Sequence, residues 1–592
     1  MNLPSSVFRR RWVYEASYAS IVLGAAALIL SLVGRRAGWP IGAESFNELI
    51  IVQLYAAHFR HLDFFPVWSS TDGIGLGTPV LLFYQKTFFY VSGALFVLLG
   101  GALKPTLILS IGFFLAVGAY GMRRALGMVT DSRLLQVVGS VGFLFTNYVF
   151  TDWLSRGDLP EFTAMMIVPW LLFWCLNLVK NHRVSLLLIP IMASLVDAHS
   201  AIALVSVFTL AVTMITFVIT AGWRGFRAIA PRLAVSVGGA ALLLAPTLLA
   251  ELRFAQYYDP ASKVTHFGAQ VSSNFVSLTS YFFDNKFRWL SGNADFVQID
   301  FAIWIPIVIA LIGIIAYYGL TRKKPNQTPW GHDLHAPSIF FLLGSFFIYI
   351  FLQLPISYFV YRIISPLQAI DYPYRMLAFI TPIGVILVIA MANSIFRAYP
   401  TSSITRAGAL LWLVSLILLS PITSTWTTTY ALTPAGEFPN PAFSTPPRYI
   451  NHKNFGGFFT PDGILFDEYL PKVNNSKSVE LYDDGDLYVR LHKDQYGAGS
   501  VSDVPCSIMV PTRSPLESLE LTFRIACRGA TRFALPVTFN AYSTVYVEDS
   551  KHRLRPIPYY HSETDPRVII DIKNSKSEIV MIHLPTLWGV LK

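Results

Sequence analysis

Hydrophobic residues occur in long, continuous runs through about the first 420 residues of the chain. A run of roughly 20 apolar residues is long enough to cross the hydrocarbon layer of a bilayer as a helix. Inside lipid only helices and closed barrels satisfy their backbone polar groups, and continuous rather than alternating runs favour helices. The candidate spanning runs lie near residues 16–33, 87–103, 106–122, 133–150, 161–178, 185–200, 201–220, 233–250, 301–318, 337–353, 376–395 and 407–420.

The spacing between two of these runs limits the number of crossings. Residues 87–103 and 106–122 are separated by almost no polar sequence, which predicts that one of them is partial or lies at the membrane interface. Eleven of the twelve runs then remain as crossings. The predicted fold class is an all-α polytopic membrane module of about 11–13 transmembrane helices.

Basic residues between the runs predict the orientation of the module. Three arginines precede the first run, and further basic clusters lie at 179–184, 222–232 and 321–325. Cytoplasmic loops of membrane proteins carry an excess of Lys and Arg, so we expect these segments in the cytoplasm. The segments expected on the extracytoplasmic side are 35–86, 151–160, 251–300 and 354–375.

The pattern changes after about Thr423, where Pro, Asn, Asp and Lys become common. Short alternating stretches separated by turn residues are typical of a β-sandwich. The chain is therefore predicted to consist of a membrane module over 1–421 and a soluble β-sandwich-like extracytoplasmic domain over 422–592. The stretches that carry the alternation lie at 478–482, 487–491, 519–525 and 568–572.

Composition and charge agree with a membrane protein. The chain is 54% hydrophobic and only 14% charged, against roughly 25% charged residues in soluble domains. The net charge of +10 comes largely from basic loops between the runs, so the predicted partner is the bilayer and not a nucleic acid. Cys506 and Cys527 both fall in the soluble segment, where a disulfide and two free thiols remain open alternatives. Cys175 lies inside an apolar run and is interpreted as a buried residue with a packing role only.

Two acidic residues open the first extracytoplasmic loop. Glu44 and Glu48 are four residues apart, so a helix would present both on one face. Carboxylates there can act as a general base or hold a cation. The alternative is a solvated first helical turn, where acidic residues are favoured. Tyr84 follows later in the same loop, after a Gly-rich turn between aromatic residues that suits close approach to a ligand.

A second charged motif reads Arg156-Gly-Asp158-Leu-Pro160-Glu161. Pro160 and Glu161 fit the first turn of a helix, with Asp158 near its N-cap. A helix N-terminus beside an arginine suits a phosphate group. In the alternative, the two acids cap the helix and Arg156 pairs with them.

Three further groups lie at helix ends on the same predicted side: His199, which follows Asp197, then Glu251, and Arg375 as a second candidate phosphate ligand. Asp197 and His199 alone do not make a metal site, so an interhelical pair competes with a metal ligand role. The pattern fixes no cofactor and leaves a divalent metal open. The sequence contains no nucleotide-binding motif, which excludes a reaction driven by ATP bound in a phosphate loop.

Several of these motifs, taken in order, resemble the bacterial 6-pyruvoyl-tetrahydropterin-synthase-related integral membrane proteins of the GT-C glycosyltransferase superfamily. The name of that family does not imply pterin chemistry. The resemblance covers roughly residues 40–380. The matching pieces are Glu44-x-x-x-Glu48, Phe65-Pro66-Val-Trp68, Gly75-Leu-Gly77-Thr-Pro79-x-x-x-Phe83-Tyr84, Ser155-Arg156-Gly-Asp158-Leu-Pro160-Glu161-Phe162, Asp197-Ala-His199-Ser200, Glu251 and Asp371-Tyr-Pro373-Tyr-Arg375.

The resemblance implies a GT-C-like fold and an enzyme that transfers a sugar from a polyprenyl-phosphate carrier to an extracytoplasmic glycan, lipid or protein acceptor, by inverting displacement at the anomeric carbon. It implies catalytic residues in loop 35–86, where Glu44 and Glu48 align with the family's Asp-x-x-x-His. That departure leaves the base assignment and metal use open. Donor phosphate would meet Arg156 and Arg375. The expected substrate-pocket residues are Asp158, Glu161, His199, Glu251 and Tyr84.

Two other functions remain open at this stage. A transporter or flippase for a lipid-linked glycan would also place charged groups in a membrane cavity, but it should need them at both leaflets, or a gating repeat. A non-catalytic glycan-assembly membrane protein would use the β domain for binding. In each case the expected location is the bacterial inner (plasma) membrane, as a multi-pass protein with its C-terminal domain outside the cytoplasm.

Overall fold

The structure is a computed structural model of the 592-residue chain. Most of the chain up to residue 398 and most of the β region after residue 505 are described. The described residues are 5–34, 39, 45–70, 77–255, 271–275, 277–283, 299–321, 336–398, 403, 407–408, 411–415, 459–460, 463–464, 506–509, 520–527, 531–538, 540–548, 552–562, 565–572 and 578–591. The boundary predicted near residue 422 and the strands predicted at 478–482 and 487–491 lie outside them.

The described residues up to 398 are mainly helical, as the continuous apolar runs predict. The helices are α1 (Ser5–Gly34), α2 (Ser45–Arg60), α3 (Val80–Phe83), α4 (Thr87–Leu98), α5 (Leu103–Leu126), α6 (Arg133–Leu144), α7 (Asn147–Phe150), α8 (Leu159–Asn181), α9 (Leu188–Ala198), α10 (Ser200–Ala255), α11 (Leu278–Phe283), α12 (Phe301–Thr321), α13 (Ala336–Leu352), α14 (Tyr358–Ile363) and α15 (Leu377–Ala398). Short 3-10 turns cover Val271–Ser273, Pro355–Ser357, Ser365–Ile370 and Pro373–Met376.

The chain is a multi-pass membrane protein. Within the described residues, five helices are long and apolar enough to cross a bilayer, or up to seven when each bent pair counts as one span. Large apolar side chains stand exposed along these helices, among them Leu28, Leu242 and Phe340. Lipid is the environment that such apolar exteriors require, because soluble proteins rarely expose apolar patches of this extent.

Breaks in the helices depart from the predicted runs. Gly222, with φ +68°, separates two helices inside α10. Arg224, Arg227 and Arg232 therefore lie within the second of these helices and not in the loop that the sequence predicts. Helix α4 has 12 residues, about 18 Å at 1.5 Å per residue, which agrees with a partial element at 87–103.

Two compact units make up the chain, and the first contains most of the helices. It comprises residues 1–48, 104–243 and 270–439. Helices α8 and α15 are its most buried long helices. Helix α8 contacts α9, α13 and α15, and α15 also contacts α6 and α12. Polar residues of the candidate site lie at or next to the N-terminal ends of α8 and α15.

The second unit comprises residues 49–103, 244–269 and 440–592. Its β region confirms strands at two predicted positions, 519–525 and 568–572. The strands are β1 (Phe459–Thr460), β2 (Gly463–Ile464), β3 (Cys506–Met509), β4 (Glu520–Cys527), β5 (Thr531–Thr538), β6 (Thr544–Glu548), β7 (Leu554–Pro556), β8 (Tyr560–Ser562), β9 (Asp565–Ile572) and β10 (Glu578–His583), followed by helix α16 (Leu587–Leu591).

The main strands form two antiparallel sheets that share one hydrophobic core. The sheet orders are β3-β4-β10-β6-β7 and β5-β9-β8, and β1 pairs with β2. The core takes residues from both sheets and also Trp68 and Phe254 from the helical part of the same unit. Cys506 and Cys527 are opposite each other in the register of β3 and β4, and Cys527 is disulfide-bonded.

Candidate functional site

Five of the predicted site residues converge in the first unit. Arg156, Asp158, Glu161, His199 and Arg375 are all buried there, together with Asp152. We call these six residues the buried charge cluster. Ionisable groups at membrane depth are costly, so they are retained mainly where they serve a function.

The local sequence explains how the first part of the cluster forms. After α7 the chain forms a π-helical turn over Thr151–Arg156. This turn ends at Gly157, whose φ is +75°. Glycine adopts this left-handed conformation without strain. Asp158 then caps α8, and its Oδ1 accepts the backbone N–H of Glu161 at 2.9 Å. The predicted N-cap is therefore confirmed, and π turns of this kind occur frequently at functional sites.

Arg156 joins three carboxylates. Its Nη1 donates to Asp152 Oδ1 at 3.2 Å and to Glu161 Oε2 at 2.9 Å. Its Nη2 donates to Asp158 Oδ2 at 2.9 Å. These are the pairs of the alternative in which the two acids of the motif bind Arg156, and the structure confirms them. A buried guanidinium needs such partners, because an uncompensated buried charge is strongly destabilising.

Arg375 reaches the same site from a distant part of the chain, in the 3-10 turn just before α15. Its Nε donates to Glu161 Oε2 at 2.9 Å, and its Nη1 donates to the carbonyl of Ile370 at 3.1 Å. Its Nη2 lies 3.9 Å from Asp158 Oδ2, too far for a hydrogen bond. That nitrogen therefore keeps N–H groups that Asp158 does not use. Tyr372 places its ring 5.1 Å from this guanidinium.

Tyr148 and His199 complete the surroundings of Glu161. The Tyr148 hydroxyl donates to Glu161 Oε1 at 2.6 Å. His199 lies at the junction of α9 and α10, and its Nε2 is 3.8 Å from both Asp158 Oδ2 and Glu161 Oε2. The expectation that His199 ends a helix is confirmed, since α9 stops at Ala198.

One ligand atom each from Asp158, Glu161 and His199 lie within 4.8 Å of one another, close enough to share a metal ion. However, Glu161 Oε2 already accepts hydrogen bonds from both Arg156 and Arg375. A divalent cation bound to this oxygen would face two fixed guanidinium charges at short range, and their repulsion opposes binding. The residues therefore do not fit a divalent metal in this arrangement.

The other predicted residues lie elsewhere. Glu44 is outside the described residues. Glu48 lies in the first turn of α2 and is fully buried, so the alternative of a solvated acidic turn is wrong for this residue. Tyr84 and Glu251 belong to the second unit. There, Glu251 pairs with Lys86 at 3.1 Å.

Sequence reasoning missed three residues around the cluster. Asp152 carried a signal, because it lies four residues before Arg156 on one helical face. Nothing in the sequence pointed to Tyr148, since tyrosines are common in apolar runs. Nothing in the sequence pointed to Asp300 either. Its two carboxylate oxygens accept the backbone N–H of Asn147 at 3.2 and 3.0 Å. It thereby fixes the start of α7, which leads into the π turn.

The solved structures to which the chain is similar include the following two. The chain is similar to ArnT from Cupriavidus metallidurans bound to undecaprenyl phosphate, with 12% identity, TM-score 0.39, and coverage of 71% of this chain and 72% of that one. It is also similar to the archaeal oligosaccharyltransferase AglB from Archaeoglobus fulgidus in complex with an inhibitory peptide and a dolichol-phosphate, with 13% identity, TM-score 0.39, and coverage of 71% and 56%.

No protein-family model and no curated protein sequence matches the chain. A TM-score of 0.39 carries no argument about the activity of this chain. The function must therefore follow from the residues that the structure brings together.

Proposed function

We propose that the protein is a GT-C-like membrane glycosyltransferase that takes a sugar from a polyprenyl-phosphate carrier. The observation that carries this proposal is the meeting of Arg156 and Arg375 on one buried carboxylate, Glu161, where spanning helices α8 and α15 begin. The sequence resemblance described above points to the same reaction.

The chemistry of the leaving group explains the need for two arginines. When the sugar departs, the carrier's phosphate gains negative charge that must be stabilised. Guanidinium groups bind phosphate through paired N–H donors, and fixed donors in a water-poor site stabilise developing charge strongly. Arg375 is the better-placed donor, because its Nη2 is not hydrogen-bonded to the nearby Asp158. The carboxylates hold both guanidinium groups in position before the lipid arrives.

The attacking hydroxyl of the acceptor must lose a proton. A carboxylate within hydrogen-bond reach can take it, and we assign this role to Glu44 or Glu48 of the predicted first extracytoplasmic loop. Burial of Glu48 suits a base that works away from bulk water. The acceptor is proposed to be an extracytoplasmic glycan, lipid or protein, and the membrane is proposed to be the bacterial plasma membrane with the β region outside the cytoplasm.

The experiment uses the full-length protein in proteoliposomes with a panel of polyprenyl-phosphate sugars, each labelled in the sugar, and membrane extract as acceptor. The readout is sugar transfer together with release of free polyprenyl phosphate. We expect Arg375→Gln to lower kcat/KM by about 10²–10³-fold, as loss of a charge-stabilising donor does. Arg123→Gln is the matched control, because Arg123 forms an ion pair with Glu15 outside the cluster.

Two results would overturn the proposal. One is equal transfer by the wild type and the Arg375→Gln variant. The other is movement of the labelled carrier across the bilayer without release of polyprenyl phosphate, which would identify a flippase instead.

A further inference from the structure

An apolar stripe lies on the short helix α14 and the turn before it. Ile356, Phe359 and Ile363 are 71%, 54% and 77% exposed. Their spacing of three and four residues places them on one helical face. Arg362, beside the stripe, is exposed as well. An arginine next to an apolar face is typical of a helix at a lipid surface, because its charged end can reach the headgroups.

The opposite face of this segment is fixed to the protein. Tyr361 is fully buried, and its hydroxyl donates to the carbonyl of Leu352 at 2.7 Å. Its ring also packs edge-on against Phe275 at 5.7 Å. Ser357 donates to the carbonyl of Leu354 at 2.8 Å. These contacts fix the rotation of α14 about its own axis. The apolar stripe on the opposite face is therefore directed away from the protein.

The preceding helix indicates what covers the stripe. Helix α13 has 17 residues, about 26 Å at 1.5 Å per residue, which is close to the roughly 30 Å of the hydrocarbon layer. The chain then bends by 91° into the segment 355–363. Helix α13 qualifies as a span only together with this segment, and a bend of this kind fits a broken or re-entrant span as well. With α13 along the bilayer normal, a segment at a right angle to it lies along the membrane plane.

The exposed faces of the two helices are continuous. On α13, Phe340, Phe347 and Phe351 are exposed, as expected for a helix in lipid. Phe351 contacts Phe359 of α14, with ring centroids 6.3 Å apart. The apolar surface therefore runs from the spanning helix directly onto the stripe, which favours bilayer lipid as the occupant over a protein partner.

The same segment leads to the buried charge cluster. After α14, a 3-10 turn over Ser365–Ile370 ends at Asp371, whose φ is +57°. The carbonyl of Ile370 accepts the hydrogen bond from Arg375 Nη1 at 3.1 Å. Asn274 donates to the carbonyl of Asp371 at 3.1 Å. The stripe thus ends 12 residues before Arg375 in the sequence, and the turn between them ends on a carbonyl that Arg375 binds.

We propose that Ile356, Phe359 and Ile363 form a lipid-contact surface in the bilayer interface, which receives the hydrocarbon chain of the lipid whose phosphate meets Arg375. The contact of this surface with lipid is inferred from the geometry of α13 and α14. Its role in guiding the hydrocarbon chain of the donor lipid rests on the proposed function.

The first arm of the test measures contact with lipid alone. Ile363→Cys carries a bimane label, and the full chain is reconstituted in phosphatidylcholine vesicles that contain brominated acyl chains, which quench bimane on contact. Phe340→Cys on α13 is the lipid-facing control, and Leu554→Cys on β7 is an exposed apolar control in the β region. We expect strong quenching at 363 and 340, and less than about a fifth of that quenching at 554.

The second arm measures chain guidance. We expect Phe359→Ser to raise KM about tenfold for a long polyprenyl-phosphate sugar, and to leave KM unchanged for a short-chain analogue that needs no guidance, because one lost apolar anchor changes binding by about that factor. Phe340→Ser should change neither KM.

The outcomes separate the two claims. Absence of quenching at 363 overturns the lipid-contact surface, and concentration-dependent protection of the label would show that a second copy covers it instead. Quenching at 363 without any transfer activity supports the surface and contradicts the proposed function. Equal effects of Phe359→Ser on long and short donors overturn chain guidance.

Discussion

Arg156 and Arg375 donate to the same oxygen atom, Oε2 of Glu161, each at 2.9 Å. One carboxylate oxygen thus sets the separation of two guanidinium groups that come from distant parts of the chain. Because both arginines also contact Asp158, their positions are determined before any ligand binds. Such preorganisation is what stabilisation of a developing phosphate charge requires.

Glu161→Gln should be strongly destabilising. Removing the charge leaves two buried guanidinium groups with fewer counter-charges, and breaking a buried pair in this way costs about 3–5 kcal/mol. The measurement is the free energy of unfolding in detergent. Glu15→Gln is the control, since Glu15 pairs with Arg123 alone at a less buried site, where the side chains are 35% and 13% exposed, so a smaller loss is expected. Equal losses in both variants would contradict the account of the cluster.

Tyr148→Phe tests the third donor to Glu161. The lost hydrogen bond goes to a charged acceptor, so we expect a loss of about 2 kcal/mol in unfolding free energy. Tyr349→Phe is a matched control: it is also a buried tyrosine, but its hydroxyl bonds to the neutral Thr209 at 2.6 Å, and about 1 kcal/mol is expected. A larger loss at 349 than at 148 would argue that Glu161 is not ionised.

The sequence predicted most of the cluster because its members are charges at the ends of apolar runs, where they stand out. Asp158 was identifiable as an N-cap from Pro160 and Glu161 that follow it. The resemblance implied that Arg156 and Arg375 meet one phosphate, but their shared bond to Oε2 of Glu161 was not predictable, since it depends on how α8 and α15 pack. The π turn was also hidden, because one extra residue in a turn leaves the apolar pattern of 133–150 unchanged.

Asp300 should make stability depend on pH. Burial raises the pKa of Asp300 from its ordinary value of 3.8 to about 7. In this range the folded state binds more protons than the unfolded state, so the free energy of unfolding falls as pH rises from about 4 to about 7 and then levels off. Asp300→Asn should remove this part of the slope in unfolding measurements between pH 4 and pH 8. An unchanged slope in the variant would contradict the assignment.

Gly384 should not tolerate a side chain. A Cβ at this position in α15 would clash with the side chain of Ile303 of α12, whereas at Gly344 in α13 it would meet nothing within 4 Å. We expect Gly384→Ala to cost about 1–3 kcal/mol through overpacking, and Gly344→Ala to be neutral or to stabilise by up to about 1 kcal/mol through helix propensity. Thermal unfolding of the two variants checks this, and the reverse order would mean that α12 and α15 pack differently.

The β region shows where sequence reasoning reached its limit. Alternation predicted strands at 519–525 and 568–572, and both are present as β4 and β9. The pattern could not show that Trp68 and Phe254, from segments far apart in the chain, would pack into the same core as these strands. Long-range packing of this kind leaves no local periodicity to read.

Binding of the carrier lipid tests the central claim most directly. Native mass spectrometry of the detergent-purified protein should show one bound polyprenyl phosphate from a set of different chain lengths, with Kd raised about 10–100-fold in Arg375→Gln, because a hydrogen bond to a charged group contributes about 1.5–3 kcal/mol. Arg123→Gln should bind as the wild type does. Equal affinity of the wild type and Arg375→Gln would contradict the claim that the buried charge cluster receives a lipid phosphate.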